Sequence, residues 1–258
     1  MLWQLDALHF LVVLVRLRFR ALWLSQENFR RAVQNEAVGL ARRYKLEIYV
    51  HGEPRPGFLA ANHTSYADAV VIEALKGAGA VSKMGVKNYF LIGAIAEKVG
   101  TLWVRRDDRD SRVEAMEKLN AWNPVRDPIW IFPEGSTTSF GKIGEFKMGV
   151  FKAAEHSGHP IQPVVICYNN PMIDWGRDNK KIFISIVHFF SEKVRTSVRC
   201  FWLEPVMVGP GEAYSAAEKL RRKYGKQFKA PKLLIEMAEK GETFYGRFNP
   251  YGEEKAAA

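Results

Sequence analysis

Cysteine is nearly missing from this 258-residue chain: Cys167 and Cys200 are the only two, so neither a disulfide framework nor a thiolate zinc set can be built, and no metal site is expected. Several signatures are absent as well. There is no phosphate-binding Gly-x-x-x-x-Gly-Lys stretch and no Gly-x-Ser-x-Gly nucleophile elbow, and "GAGAVS" from Gly77 fails the dinucleotide fingerprint at its last glycine. ATP, NAD and serine-hydrolase chemistry are thereby left without their usual basis. Long apolar runs are lacking too. In the most apolar region the uninterrupted run is only Phe10–Val15, far below the ~20 residues that cross a bilayer, and neither a basic leader nor a cleavage site marks it as a signal peptide. Acidic residues are the last shortage, with 28 against 38 Lys and Arg, giving a net charge of +10 and a pI near 9.6. Such an excess calls for a polyanionic partner: nucleic acid, an anionic membrane or a phosphorylated substrate.

Half of that excess lies in residues 1–45, where Arg16, Arg18, Arg20, Arg30, Arg31, Arg42, Arg43 and Lys45 face only Asp6, Glu27 and Glu36. The same region is the most apolar, which argues against a nucleic-acid arm. From Asn28 onward, Phe29, Ala32, Val33, Ala37, Leu40, Ala41 and Tyr44 recur at helical spacing. The pattern predicts two amphipathic helices over 1–44 lying in a membrane interface, with arginines among anionic headgroups and Trp3 and Trp23 at headgroup level. The ordinary alternative is a helix pair packed on its own domain.

With 47% hydrophobic residues the chain can bury one large core. After Tyr44, short apolar strands (Leu46–Val50, Phe58–Ala61, Ala80–Ser82, Thr101–Val104, Ile129–Phe132, Gln162–Cys167, Ile182–Phe189, Arg199–Val206) alternate with helical segments (Tyr66–Leu75, Tyr89–Lys98, Ser111–Asn120, Phe146–Ser157, Ala213–Tyr224). This predicts a single α/β domain over 45–250 with a mostly parallel central sheet flanked by helices, and a tail over 251–258. Ligands in such sheets bind at strand C-terminal ends.

The stretch "LAANHTSYADAVVIEAL" from Leu59 places a histidine at such an end. His63 and Asp68 are five residues apart, about 500° along a helix or roughly 140° around it, so they can meet only if His63 sits on the turn entering the helix and Asp68 about one turn inside. Ser65 reads as the N-cap. By itself this could also be capping beside a surface histidine, since an acid in the first turn complements the helix dipole. Three further strands end similarly: "GTLWVRRDDR" delivers Arg105 and Arg106, "IWIFPEGSTTSF" delivers Glu134, Gly135 and Ser136, and Pro163 begins "PVVICY". Arginine forks suit phosphate oxygens, although Asp107 and Asp108 could be simple local partners. The Pro-Glu-Gly turn could equally be ordinary turn chemistry.

Together "NHTSYAD", "GTLWVRR", "FPEGS" and "QPVVIC", in this order and over roughly residues 45–205, resemble the glycerolipid acyltransferase family, whose best-known members are the 1-acylglycerol-3-phosphate acyltransferases. "FKMGVFKAA" from Phe146 and Lys83 in "VSKMG" also look like the family. The resemblance implies transfer of a fatty acyl group from a thioester, acyl-CoA or acyl-carrier protein, to the free hydroxyl of a lysolipid, with no cofactor. His63 would be the base and Asp68 its orienting carboxylate. Glu134, Gly135 and Ser136 would form the acceptor-binding turn, with Arg106, Lys83 and Arg105 at the lysolipid phosphate. Three positions depart from the family pattern. Thr137 stands where an arginine usually does, Gly85 where an acid is common, and Tyr168 where a second proline is expected. Lysophosphatidic acid is the first acceptor implied and another lysophospholipid or a lyso-aminolipid its rival. The implied location is peripheral or monotopic, on the cytoplasmic face of an anionic membrane and away from nucleic acid. A non-enzymatic basic membrane or nucleic-acid binder would leave the His-x4-Asp and Pro-Glu-Gly turns unexplained.

Overall fold

Phe58–Ala61 is buried at every position, and its side chains alternate between two cores: Phe58 and Ala60 enter one, Leu59 and Ala61 the other. A strand buried on both faces belongs at the centre of a sheet covered by helices on either side, and that is its place in this computed structural model. The structure describes residues 2–170 and 196–239, with side chains over 4–170 and 196–227. The expected strand Ile182–Phe189, the Trp3 side chain and the tail 251–258 lie outside the described residues. In chain order the elements are α1 (Leu2–Arg20), α2 (Gln26–Arg43), β1 (Leu46–His51), β2 (Phe58–Ala61), α3 (Asp68–Leu75), β3 (Gly79–Lys83), α4 (Met84–Lys87), α5 (Phe90–Val99), β4 (Leu102–Val104), α6 (Arg109–Asn120), β5 (Ile129–Ile131), α7 (Gly149–Ser157), β6 (Ile161–Tyr168), β7 (Thr196–Trp202) and α8 (Ala213–Glu239).

Among the described residues the strands form one seven-stranded sheet in the order β1-β7-β6-β2-β5-β3-β4. Every pairing is parallel except β6–β7. Helices α6, α7 and α8 cover one face through Ala115, Leu119, Phe151, Leu220 and Tyr224. The other face is covered by α3 through Val71, Ile72 and Leu75, with α2 behind it.

Helix α2 is knitted into this body. Its Phe29, Val33 and Leu40 share a cluster with Ile95 and Val99 of α5 and with Val13 and Leu17 of α1. Gln34 donates to the carbonyls of Ala74 and Leu75 at the end of α3, and Arg30 donates to Val99 O at the end of α5 while pairing with Asp127 at 2.5 Å. One helix thus satisfies carbonyls that two others leave open at their C-termini. The apolar stripe seen in the sequence of α2 is therefore covered by protein. Helix α1 differs: Leu5, Leu8, Leu11, Val12, Phe19, Leu22 and Trp23 along and just beyond it are each about half to two-thirds exposed. Arg16 and Arg20 pair with Glu36 and Arg43 with Asp6, so these arginines join α1 to α2. Arg18 and Arg42 have no ion pair among the described residues.

Five local expectations are corrected. Helix α3 starts at Asp68 rather than Tyr66, and Ser65 is not its N-cap: the Ser65 hydroxyl accepts from Ala67 N–H in a turn preceding the helix. β7 runs Thr196–Trp202, three residues earlier than expected at its start, because pairing with Leu46–His51 fixes its register. Past Trp202 an isolated bridge, Ile161 to Val206, continues the contact. α7 begins at Gly149 rather than Phe146, and α8 continues well past Tyr224.

Candidate active site

Five parallel strands, β6, β2, β5, β3 and β4, point their C-terminal ends to one edge. β2 is next to β5, so the turns that follow these strands meet. His63 lies outside α3, on the turn after β2. Its Nδ1 is 2.7 Å from Asp68 Oδ2, and its ring stacks on Phe132 with centroids 4.2 Å apart. The Asp68 side chain is fully buried and that of His63 is 19% exposed. Asp68 Oδ2 also accepts from the Thr64 and Ser65 N–H groups at 2.7 and 2.9 Å, and Oδ1 accepts from the Tyr168 hydroxyl at 2.5 Å. An oxygen already accepting two backbone N–H groups can only accept again, so the His63 proton is assigned to Nδ1, which leaves Nε2 with a free lone pair.

The main chain of His63 is held as firmly as its ring. Its N–H donates to Glu134 Oε1 at 2.8 Å, and its carbonyl accepts from Thr138 N–H at 2.8 Å. Glu134 Oε2 accepts from the Thr138 hydroxyl at 2.7 Å and from Gly144 N–H at 2.6 Å. Burial pushes the Glu134 carboxyl upward, against the pull of these hydrogen bonds. The sequence places Glu134 at the acceptor; in the structure its carboxylate is turned inward, 4% exposed, and both oxygens are engaged by protein donors. It braces the histidine turn against the loop that runs to Gly144. Gly135, at φ 72°, makes the turn after Glu134 in a conformation that favours glycine, and Ser136 is exposed beyond it.

Asn62 closes the end of β2. Its side-chain amide donates to Ile166 O at 3.0 Å and accepts from Ile166 N–H at 2.7 Å, both on β6.

The basic residues stand farther along the edge. Lys83 ends β3, and Arg105 and Arg106 follow β4, whose Val104 is in register with Lys83. All three are exposed. Arg105 lies 3.9 Å from Asp108, which itself caps α6 by accepting from Asp110 and Ser111 N–H, so the local-partner reading holds in part for Arg105. Arg106 has no ion-pair partner among the described residues. Strands are spaced by ~4.8 Å, so the β3 and β4 ends lie two and three strands, roughly 10 and 14 Å, from the β2 end. The structure therefore brings His63, Asp68 and Glu134 into contact and sets Lys83, Arg105 and Arg106 apart from them.

Phe132, Thr138, Gly144 and Asn62 join the site without having been singled out from the sequence, and Tyr168 had been noted only as a departure. Two signals were readable: Phe132 immediately precedes Pro-Glu-Gly, and Asn62 immediately precedes His63. The remaining contacts depend on strand register. Among the described residues no cluster of His, Cys, Asp and Glu could hold a metal ion.

The chain is similar in sequence and fold to known proteins. The acyltransferase family matches residues 42–167. A lyso-ornithine lipid O-acyltransferase of Pseudomonas aeruginosa is 33% identical over 185 residues, 69% of each chain. A chloroplastic 1-acyl-sn-glycerol-3-phosphate acyltransferase of Arabidopsis thaliana is 25% identical over 124 residues, 48% of this chain and 35% of that one. The crystal structure of a 1-acyl-sn-glycerophosphate (LPA) acyltransferase from Thermotoga maritima superposes with a TM-score of 0.60 at 22% identity, covering 90% of this chain and 95% of the other, a likeness of fold. Its shared sequence over two thirds of the Pseudomonas protein makes this chain a member of the acyltransferase family.

Proposed function

We propose that the protein is a membrane-surface O-acyltransferase that moves a fatty acyl group from acyl-CoA or acyl-carrier protein to the free hydroxyl of a lysolipid. The observation that carries this reading is the His63–Asp68 contact at 2.7 Å at the C-terminal edge of the sheet. An alcohol is a poor nucleophile at neutral pH, and a positioned histidine contributes typically 10²- to 10⁴-fold as base. His63 Nε2 takes the proton as the hydroxyl oxygen attacks the thioester carbonyl. The new C–O bond forms, the C–S bond breaks, and the imidazolium returns the proton to the departing thiolate. Asp68 fixes the tautomer and stabilises the imidazolium. No acyl-enzyme is needed.

Lysophosphatidic acid is the first acceptor on this reading: the long side chains of Lys83, Arg105 and Arg106 would extend back along the edge toward His63 to take the phosphate, which is only one carbon removed from the reacting hydroxyl, while Gly135 and Ser136 would line the approach. A second acceptor, a lyso-ornithine lipid, is favoured by the 33% identity to the Pseudomonas enzyme and by Thr137, which removes one guanidinium that the motif leads one to expect.

No helix among the described residues is long and apolar enough to cross a membrane. The exposed apolar side chains of α1, with Phe90 at the start of the neighbouring α5, 80% exposed, would enter one leaflet on its cytoplasmic face. Arg18 and Arg42 would add electrostatic attraction.

The test is turnover of purified protein against a panel of lysolipids with both donors, alongside His63→Ala. Wild-type protein should acylate at least one lysolipid and His63→Ala should lose at least about 10²-fold in turnover. Full activity in the variant would rule out the mechanism.

A further inference from the structure

Tyr168 is the last residue of β6 and lies a hundred residues from Asp68 in the chain, yet its hydroxyl donates to Asp68 Oδ1 at 2.5 Å. The two oxygens of Asp68 are served differently. Oδ2 has two backbone donors from the histidine turn and the His63 ring itself; among the described residues Oδ1 has Tyr168 alone. The phenol is nearly buried, at 7% exposure. Burial, together with the Asp68 charge, pushes its pKa well above the usual tyrosine value, so it stays a donor at every working pH.

The backbone around this contact is held independently. Asn62 pins Ile166, two residues before Tyr168, and Tyr224 of α8 donates to Ala60 O at 2.5 Å while accepting from Val164 N–H at 3.2 Å. The β2–β6 pair therefore has its own ties, and the Tyr168 hydroxyl is not required to keep the two strands together. Among the described residues its one hydrogen bond is to the carboxylate.

We propose that Tyr168 is a positioning residue of acyl transfer: its hydroxyl locks the rotamer of the Asp68 carboxylate against His63 and draws off part of the charge that carboxylate presents to the imidazole. This rests on the reading of His63 as base. A hydrogen bond donated to the far oxygen withdraws electron density from the near one. Without it Asp68 binds the Nδ1 proton more strongly, the imidazolium is favoured, and the free base persists only at higher pH. The ionisable groups facing the pair are Glu134 from the turn after β5, Cys200 from β7 and Tyr168 from β6, and no lysine or arginine forms an ion pair with Asp68 among the described residues. None of the others donates to Oδ1.

The experiment compares Tyr168→Phe, Tyr224→Phe, His63→Ala and protein carrying 3-fluorotyrosine at position 168, measuring kcat, acceptor KM, the pH profile of kcat/KM and Tm. Tyr168→Phe should lower kcat about tenfold, the order expected for one hydrogen bond to a charged group, and leave KM within about twofold. The acid limb of its profile should move to higher pH. Fluorination keeps the hydroxyl and the fold but makes it a stronger donor, so that limb should move to lower pH. Tyr224→Phe removes a buried hydroxyl that α8 contributes to the same strand pair and should lower Tm without moving the limb. If Tyr168→Phe merely lowers Tm like Tyr224→Phe, or if fluorination leaves the limb in place, Tyr168 is structural and the inference is overturned. Activity in His63→Ala would overturn the base assignment itself; a dead His63→Ala with unmoved limbs overturns only the role of Tyr168.

Discussion

Replacing Asp68 by Asn separates charge from geometry at this site, because the structure dictates which way the amide must turn. Oδ2 receives the Thr64 and Ser65 N–H groups and His63 Nδ1–H, so the amide oxygen must take that position; the NH₂ group would meet three donors there. The NH₂ then faces Tyr168, whose hydroxyl can turn to accept. Fold, histidine tautomer and ring position should all survive. What disappears is the negative charge beneath the imidazolium. Opposite unit charges about 4 Å apart at an effective dielectric constant near 20 attract by about 4 kcal/mol, and the neutral amide oxygen keeps a hydrogen bond of about 1 kcal/mol. The difference, about 3 kcal/mol, corresponds to about a 10²-fold fall in kcat.

Asp68→Ala should differ in kind. It leaves two backbone N–H groups and a phenol without their acceptor in a buried pocket, at about 1–3 kcal/mol for each group. A protein of this size loses about 2–4 °C in Tm per kcal/mol, so the alanine variant should melt at least about 5 °C lower. Acyl transfer from a radiolabelled thioester to lysolipid in mixed micelles, with thermal melts of the same samples, measures both quantities. An asparagine variant within about threefold of wild-type kcat would refute the electrostatic role of Asp68, and equal Tm losses in the two variants would refute the account of how the amide turns.

Glu134→Gln should destabilise by about 1–3 kcal/mol and slow turnover, since an amide NH₂ must oppose either the His63 or the Gly144 N–H; urea titration with kinetics checks this. Arg106→Ala should raise the acceptor KM for lysophosphatidic acid and Arg106→Lys should not restore it, whereas unchanged kinetics would make it a surface charge. Burial pushes the Glu73 carboxyl up to about 8, with Oε2 buried and without a hydrogen-bond partner. Between about pH 5 and 8 the folded protein then holds a proton that the unfolded chain has released, so stability should fall as pH rises through that window, and Glu73→Gln should flatten a plot of Tm against pH. If α1 anchors the protein by burying its exposed apolar side chains in one leaflet, as proposed, high salt should remove little protein from membranes while detergent releases it; release by salt would contradict this.

The His63–Asp68 encounter was legible in the sequence because a five-residue separation permits it only across a strand-to-helix turn, and the three further motif stretches in order outweighed the capping reading that the spacing alone left open. The strands flanking it were legible because short, mostly apolar runs such as "FLAA", "IWIF" and "PVVIC" stand between turn residues. Ser65 misled, since a serine before a helical pattern is a good cap in general, whereas here Asp68 takes the Thr64 and Ser65 N–H groups itself. α4 spans only four residues, too few for periodicity to register. The inward turn of Glu134 depends on Gly144, ten residues on, where an added Cβ would lie 2.7 Å from the Thr138 methyl and 2.9 Å from Glu134 Oε2. Likewise the meeting of Tyr168 with Asp68 depends on which strand lies beside β2, and β6 follows it by a hundred residues. That the apolar stripe of α2 faces protein while α1 keeps an exposed one is also a matter of partners: both helices read as amphipathic, and periodicity does not say what covers a face.

A strand that must release its chain into the histidine turn faces a difficulty at the last rung. Its neighbour continues, and a buried neighbour needs both a donor and an acceptor opposite each inward-facing peptide. Asn62 answers this with a side chain that imitates a peptide unit, so β6 meets a ladder of unbroken chemistry while the backbone of β2 has already left for His63. Aspartate at this position could not donate, leucine could do neither, and glutamine would carry its amide one methylene too far. The residue before the histidine is thus what lets a fully buried strand end without an unsatisfied neighbour, and it sets the point at which the histidine leaves the sheet.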